Sequence, residues 1–191
     1  MKTKAKVLVT ALCAVLLVAV SVFGTIAYLT GKDTVTNTFT VGSVNITLDE
    51  AEVNPDGTVK SNSRVKANTY HLLPGHSYVK DPTVHVGANS EDCWIFVKLD
   101  NGLKSIVADT SIEAQMTGNG WTLIDSTNNV YAYRETVSAG DNITVFESFT
   151  LKGDAEVSGY ANAKIEVIAY AVQADGFSTA EAAWQSAAFL G

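Results

Sequence analysis

The chain of 191 residues contains only two cysteines, and this scarcity excludes a fold held together by disulfide bonds. Cys13 lies in an apolar N-terminal stretch. Leu12 before it is too bulky for the small residue that lipoprotein processing requires, so no lipid anchor is expected. Cys93 is then the one thiol of the remaining chain. We interpret it as a small buried residue at the start of a strand, with a reactive thiol as the alternative.

Basic residues are also scarce, with 13 Lys and Arg against 20 Asp and Glu. The net charge of −7 becomes about −10 if an N-terminal segment carrying Lys2, Lys4 and Lys6 is removed. Because nucleic acids and anionic lipids are bound through positive charge, neither is an expected partner.

Recognisable catalytic motifs are absent as well. The H-E-x-x-H pattern of zinc proteases does not occur, and neither does a G-x-S-x-G nucleophile motif. The three histidines are His71, His76 and His85, and their spacing does not place them on one helical face. The residues therefore predict no catalytic group, no metal site and no cofactor.

Two weaker binding alternatives stay open. Glu91–Asp92 and the group Asp49, Glu50 and Glu52 carry oxygen ligands for calcium, but neither matches the EF-hand spacing, and we interpret them as solvated acidic loops. Trp121, Tyr131 and Tyr133 could form an aromatic platform for a sugar, although such residues are also ordinary core.

The N-terminus has the pattern of a secretory signal. Three lysines precede an uncharged run from Val7 to Ile26, which is about the 20 residues needed to cross a bilayer. Thr25 and Ala27 supply the small residues that a signal peptidase requires. We therefore predict a signal helix in residues 1–27, cleaved between Ala27 and Tyr28, with an uncleaved membrane anchor as the alternative.

Residues 28–191 are predicted to form one mostly β domain. Apolar and polar residues alternate over residues 34–41, as in a half-buried strand, and the alternation resumes out of phase after Gly42. Residues 93–99 are apolar on both faces, which indicates a strand in the middle of a sheet. Residues 50–69 are polar and predict an exposed, mobile excursion with a turn at 54–57, while residues 100–120 give no clear assignment.

Further strands are predicted over residues 121–124, 130–134, 143–151 and 164–172, with a bend exposing Glu147 in the third of them. Short strands separated by polar turns are typical of a β-sandwich or barrel. Ser178 and Glu181 form a capping box ahead of an apolar helical face, so a short C-terminal helix is predicted over residues 178–190.

Several segments resemble the TasA/camelysin family of Gram-positive bacteria. The most specific are residues 24–30 (Gly-Thr-Ile-Ala-Tyr-Leu-Thr) and 37–48 (Asn-Thr-Phe-Thr-Val-Gly-Ser-Val-Asn-Ile-Thr-Leu). The similarity continues through residues 73–75, 80–84, 89–98 and 169–174, and so covers most of the chain. Signal segments of this family are cut by a dedicated SipW-type peptidase.

The resemblance implies a jelly-roll β-sandwich, secreted to the cell surface or biofilm matrix, that forms fibres by lending an N-terminal strand to the next subunit. Residues 28–41 would be the donor strand, with Val35, Phe39 and Val41 buried in the neighbour. The implied partners are other copies of this chain, with other matrix proteins as further candidates. Membrane contact is expected only through the signal segment before cleavage.

The same resemblance brings a rival function, because camelysin is described as a surface metalloprotease. The sequence contains no recognisable zinc motif to support that activity. A monomeric adhesin or carbohydrate-binding module is the third hypothesis, and it would need an exposed aromatic or metal-lined site.

Overall fold

The computed structural model describes Thr3 and residues 12–16, 43–108 and 112–187. The chain divides into two compact units, Met1–Thr40 and Val41–Gly191. Thr3 and residues 12–16 are helical. None of the helices in the described part of the chain has the length and hydrophobicity needed to span a bilayer.

The second unit has the predicted all-β fold, with ten strands and two short helices in its described residues. The strands are β1 Ile46–Val53, β2 Val59–Val65, β3 Ser77–Val79, β4 Thr83–Val86, β5 Cys93–Asn101, β6 Trp121–Asp125, β7 Val130–Tyr133, β8 Asn142–Thr144, β9 Ser148–Thr150 and β10 Ile165–Gln173. The helices are α1 Ile112–Gly118 and α2 Ala180–Ser186, and a 3₁₀ turn covers Ser158–Tyr160.

The strands form two four-stranded antiparallel sheets and one two-stranded sheet. Sheet I has the order β2-β1-β4-β8, sheet II has the order β10-β5-β7-β6, and β3 pairs with β9. In sheet I, Ile46 and Leu48 of β1 lie opposite Val86 and Val84 of β4. The alternation of apolar and polar residues in β1 therefore directs one face of sheet I toward the core.

Side chains from both sheets meet in one hydrophobic cluster. Sheet I contributes Val84 and Val86, and sheet II contributes Ile95, Val97 and Leu99, all of them buried. A second, smaller cluster lies where α2 packs against Phe96 and its neighbours. Because β5 contributes to both clusters, it is apolar on both faces, as predicted for a strand in the middle of a sheet.

Helix α1 lies in the segment that the sequence left unassigned. Ile112 and Met116 of this helix are fully buried in the main cluster. The Gln115 side chain contacts the backbone of Glu147 and Ser148, and the Trp121 indole N–H after the helix donates to the Thr144 carbonyl at 3.0 Å. Helix α1 and β6 thereby connect the β6 edge of sheet II with the β8 side of sheet I.

Three sequence expectations need correction. Residues 50–53 and 59–65 are paired strands rather than an exposed excursion, although the predicted turn between them is present, with Gly57 at φ +84°. The predicted strand 143–151 is two strands in different sheets, β8 and β9, with the chain bent between them and Glu147 exposed as expected. Helix α2 is capped by Thr179, whose hydroxyl accepts the Ala182 N–H at 3.2 Å, rather than by Ser178.

Candidate functional site: a groove between β1 and β10

A groove of about 1220 Å³ lies between β1 and the first residues of β10. Its walls come from sheet I on one side and sheet II on the other. The lining is mixed: its apolar and aromatic members include Leu48, Tyr70, Leu72, Leu103, Phe149, Val157, Ile165 and Val167, and its charged members include Asp49, Glu50, Lys66, Lys80, Lys164 and Glu166. A groove beside a strand suits an extended peptide.

Strand β10 presents a free edge to this groove. Its nine residues pair with β5 on one side, and among the described residues no strand pairs with the other side. Every second backbone N–H and C=O along a free edge is open to a new hydrogen bond. The β10 edge is therefore able to accept one more strand.

The inner side chains of β10 are less buried than those of the strand beside it. Val167, Ala169 and Ala171 pack on the main cluster yet are only half-buried. Their cross-strand partners in β5 are Leu99, Val97 and Ile95, which are 3%, 0% and 0% exposed. The cover over the core is thus incomplete along β10.

The opposite wall shows the same contrast. Ile46 and Leu48 of β1 are half-buried, whereas Val86 and Val84, their partners in β4, are 4% and 0% exposed. Both walls of the groove therefore present apolar surface that the described residues do not fully cover. Removing such surface from water is worth roughly 25 cal/mol per Å², which favours an apolar occupant.

One part of the groove is charged. Glu50 follows Leu48 on the inner face of β1 and is only 4% exposed. The Lys80 ammonium contacts its carboxylate, and the Asn68 amide donates to it at 2.9 Å. Asn68 also holds the backbone of β1, since it accepts the Val53 N–H and donates to the Ala51 carbonyl.

Tyr70 lies next to this charged pair. Its hydroxyl donates to the Val79 carbonyl at 3.0 Å. Burial raises the pKa of the Tyr70 phenol well above its ordinary value, and the negative charges of Glu50 and Asp81 raise it further. Tyr70 therefore serves the groove as a neutral hydrogen-bonding aromatic wall.

The residues predicted from the sequence to act in processing and assembly lie outside the described residues. They are Thr25, Ala27 and Tyr28 at the cleavage site, and Val35, Phe39 and Val41 in the donor strand. No sequence pattern indicated the acceptor side. The alternating pattern predicted β10 as a strand, but no local signal marked it as an edge.

Two of the three histidines make polar contacts through their rings. The His76 ring contacts the Asp56 carbonyl at 2.8 Å, while His85 lies between Asp49 and Asn142. In the part of the chain that the structure describes, no three His, Cys, Asp or Glu side chains are grouped as metal ligands.

The carboxylates weighed as calcium ligands in β1 are paired with cations instead. Asp49 contacts Arg64, Glu50 contacts Lys80 and Glu52 contacts Lys60. Burial acts against ionisation of Asp49, but hydrogen bonds from Arg64 and His85 outweigh it and lower the pKa of that carboxyl. These pairs join β1 to β2 and to the loop before β4.

An exposed aromatic platform does not form. Trp121 and Tyr131 are 1% and 8% exposed and belong to the main cluster, and Tyr133 is half-buried against it. The prediction for Cys93 is confirmed: the residue starts β5 and is fully buried. Burial raises the pKa of its thiol to about 11, so the thiol is protonated at neutral pH.

Comparisons of the chain with protein-family models, curated proteins and solved structures found no match.

Proposed function

We propose that this chain is a secreted structural protein of a Gram-positive cell surface or biofilm matrix. It polymerises head-to-tail when residues 34–41 of one copy fill the groove between β1 and β10 of the next. The observation that carries the proposal is the pair of half-buried apolar walls beside a free strand edge. A strand placed there would complete the cover of the core.

The jelly-roll sandwich is part of the same proposal. Two four-stranded antiparallel sheets that share one hydrophobic cluster support it. In such a sandwich, a further strand at the β10 edge would extend sheet II by one strand. The added strand would bury its apolar face on the exposed part of the cluster.

The donor segment and the free edge of β10 agree in length. Residues 34–41 span about 26 Å as a strand at roughly 3.3 Å per residue, and the nine residues of β10 span about 30 Å. Val35, Phe39 and Val41 would face the apolar walls. The threonines at 34, 36, 38 and 40 would face water.

Strand direction favours a second copy over the chain's own segment. The Glu91 N–H donates to the Ser43 carbonyl, and the Ala174 N–H, just after β10, donates to the Asp92 carbonyl. Ser43 therefore lies near the C-terminal end of β10. A segment that fills its own groove and then continues to Ser43 would run parallel to β10. A strand from another copy is free to run antiparallel, the more stable pairing in an otherwise antiparallel sheet.

Because the donor segment and the groove are different surfaces, each copy can give one strand and receive one. A contact of this kind is head-to-tail and produces an open fibre unless the ring closes. No described residue favours the metallopeptidase or carbohydrate-binding hypothesis by a specific observation, so neither is carried further.

The test compares two substitutions on opposite faces of the donor segment in the chain beginning at Tyr28. Phe39→Asp puts a charge on the face that would be buried, and Thr38→Asp puts the same charge on the neighbouring solvent face. We expect fibres by electron microscopy from the unchanged chain and from Thr38→Asp, and monomers from Phe39→Asp. Equal assembly by both variants, or monomers from the unchanged chain, would contradict the proposal.

A further inference from the structure

The buried ion pair Glu50–Lys80 lies in the groove beside the apolar and aromatic side chains of Leu48 and Tyr70. The inward series of β1 runs Ile46, Leu48, Glu50, so a carboxylate stands where the pattern calls for an apolar residue. The side chains of Glu50 and Lys80 are 5% and 11% exposed. A pair this buried is rarely a net gain in stability, and its best-attested use is to fix register.

The pair retains hydrogen-bonding capacity toward the groove. The Lys80 ammonium has three N–H donors, and its contact with Glu50 uses one of them. The Glu50 carboxylate accepts from Lys80 through one oxygen and from Asn68 through the other, and each oxygen has a second lone pair. A neutral amide, with one acceptor oxygen and two N–H donors, matches what the pair offers.

The candidate donor strand carries one such group on its apolar face. Val35, Asn37, Phe39 and Val41 share that face, and Asn37 is its single polar member. Along the groove, apolar side chains likewise lie beside the charged pair, with Leu48 two residues before Glu50 and Tyr70 next to it. On the inward face of β1, Glu50 is thus the polar member of a series that begins with Ile46 and Leu48, as Asn37 is the polar member of the donor face.

We propose that Asn37 of a second copy binds Glu50 and Lys80 and thereby sets the register of the inserted strand. This inference rests on the proposed function. A slip of one residue would turn the threonine face into the groove, which the apolar pattern already disfavours. A slip of two residues leaves the apolar face of the strand in the groove, but it places Val35 or Phe39 on the ion pair and Asn37 on apolar walls. The contact of Asn37 with the ion pair is what disfavours this slip.

The test uses a peptide as donor, because a change in the peptide cannot affect folding of the acceptor. The acceptor is the chain beginning at Tyr28 with Phe39→Asp, which is expected to be monomeric. Fluorescence anisotropy measures its binding to labelled peptides of residues 33–42 with three sequences: unchanged, Asn37→Leu, and Thr38→Leu as the control on the solvent face. All three are repeated with an acceptor that also carries Lys80→Met.

We expect Asn37→Leu to weaken binding by about tenfold or more, because the inserted strand would bury hydrogen-bonding groups of Glu50 and Lys80 without a partner for them, and Thr38→Leu to leave binding nearly unchanged. With the Lys80→Met acceptor the gap between the unchanged and Asn37→Leu peptides should shrink to less than about threefold. That pattern would support recognition of Asn37 by the pair.

Other outcomes separate the two proposals. Equal binding of the unchanged and Asn37→Leu peptides overturns the register role but leaves strand donation standing. A gap that persists with the Lys80→Met acceptor also overturns it, since the effect of Asn37 would then arise elsewhere. If no peptide binds, strand donation and the register role both fail. Should Lys80→Met not fold, as judged by circular dichroism, the comparison of peptides on the first acceptor decides.

Discussion

The two sheets leave two gaps along their edges, and the chain treats them differently. At β6 and β8, helix α1 fills the gap, and Ile112, Met116 and Trp121 are at most 1% exposed. At β1 and β10, no described α-helix or further strand covers the gap, which is lined by residues 66–72 and 157–164, and the inner side chains of both strands are half-buried. The same core is therefore closed by a helix on one side, and we propose that an added strand closes it on the other.

Truncation of a side chain should destabilise the protein more at the gap filled by helix α1 than at the groove. Trp121→Ala removes a fully buried indole and its hydrogen bond to the Thr144 carbonyl, and we expect a loss of about 3–5 kcal/mol in the free energy of unfolding. Urea unfolding of chains that also carry Phe39→Asp measures it without interference from assembly. The control Thr122→Ala changes the exposed neighbour and should lower the free energy of unfolding only slightly. Equal losses from both substitutions would mean that Trp121 and helix α1 do not close the core at β6.

A substitution in the groove between β1 and β10 should affect fibre assembly more than the free energy of unfolding. Val167→Asp places a carboxylate in the groove, where water reaches it in the monomer but an inserted strand would bury it. We expect fibres to disappear while the free energy of unfolding falls by only about 1 kcal/mol. Ile168→Asp, on the outer face of β10 and 40% exposed, is the matched control and should still assemble.

A mixture of defective chains sharpens this test. The Val167→Asp chain has an unchanged donor segment, and the Phe39→Asp chain has an unchanged groove. Neither should polymerise alone, and together they should form a one-to-one complex by size-exclusion chromatography with light scattering. Failure to pair, with both chains folded, would count against the head-to-tail contact.

Cys93 pairs with Gln173 at the end of β10, so the pKa of its thiol measures how well that part of the core is shielded from water. Burial raises the pKa of its thiol from 9.0 to about 11. Between those values the unfolded chain loses the proton while the folded chain keeps it, so stability falls as pH rises from 9 to 11, by up to about 1.4 kcal/mol per pH unit.

The measurement is the free energy of unfolding of the unchanged chain relative to Cys93→Ala across that pH range. The substitution removes this titration and leaves the others in place. A difference that stays constant from pH 8 to 11 would show that the thiol is already open to water in the folded chain.

The smallest effect is expected at Asp49, which lies on the opposite face of β1 from Leu48 and Glu50. Hydrogen bonds from Arg64 and His85 lower the pKa of Asp49, so its contribution is present above pH 3.8 and is lost as pH falls through the lower folded value. Asp49→Asn should cost no more than about 1 kcal/mol at pH 7, and this cost should vanish at acid pH. Addition of donor peptide should leave it unchanged, because the strand binds the other face of β1.

Much of the strand pattern could be predicted, because the alternation of apolar and polar residues is local. Other local signals identified the strand at 93–99, which is apolar on both faces, the turn at 54–57 and the capped C-terminal helix. Helix α1 was missed because it has only seven residues and is held by contacts of Ile112 and Met116 with distant strands. Strand β2 and its pairing with the second half of β1 were missed because these residues are polar and ion pairs such as Arg64 with Asp49 join them.

What the sequence by itself determined is the local chemistry: an all-β domain, an acidic surface, a core without disulfides and an N-terminal segment with one apolar face. Only the tertiary structure decided which strands are edges, that α1 closes one gap, and that Glu50 and Lys80 meet inside the other. The physical reason is that a strand's own residues specify its two faces. Its neighbours, and hence its free edge, depend on residues far away in the chain.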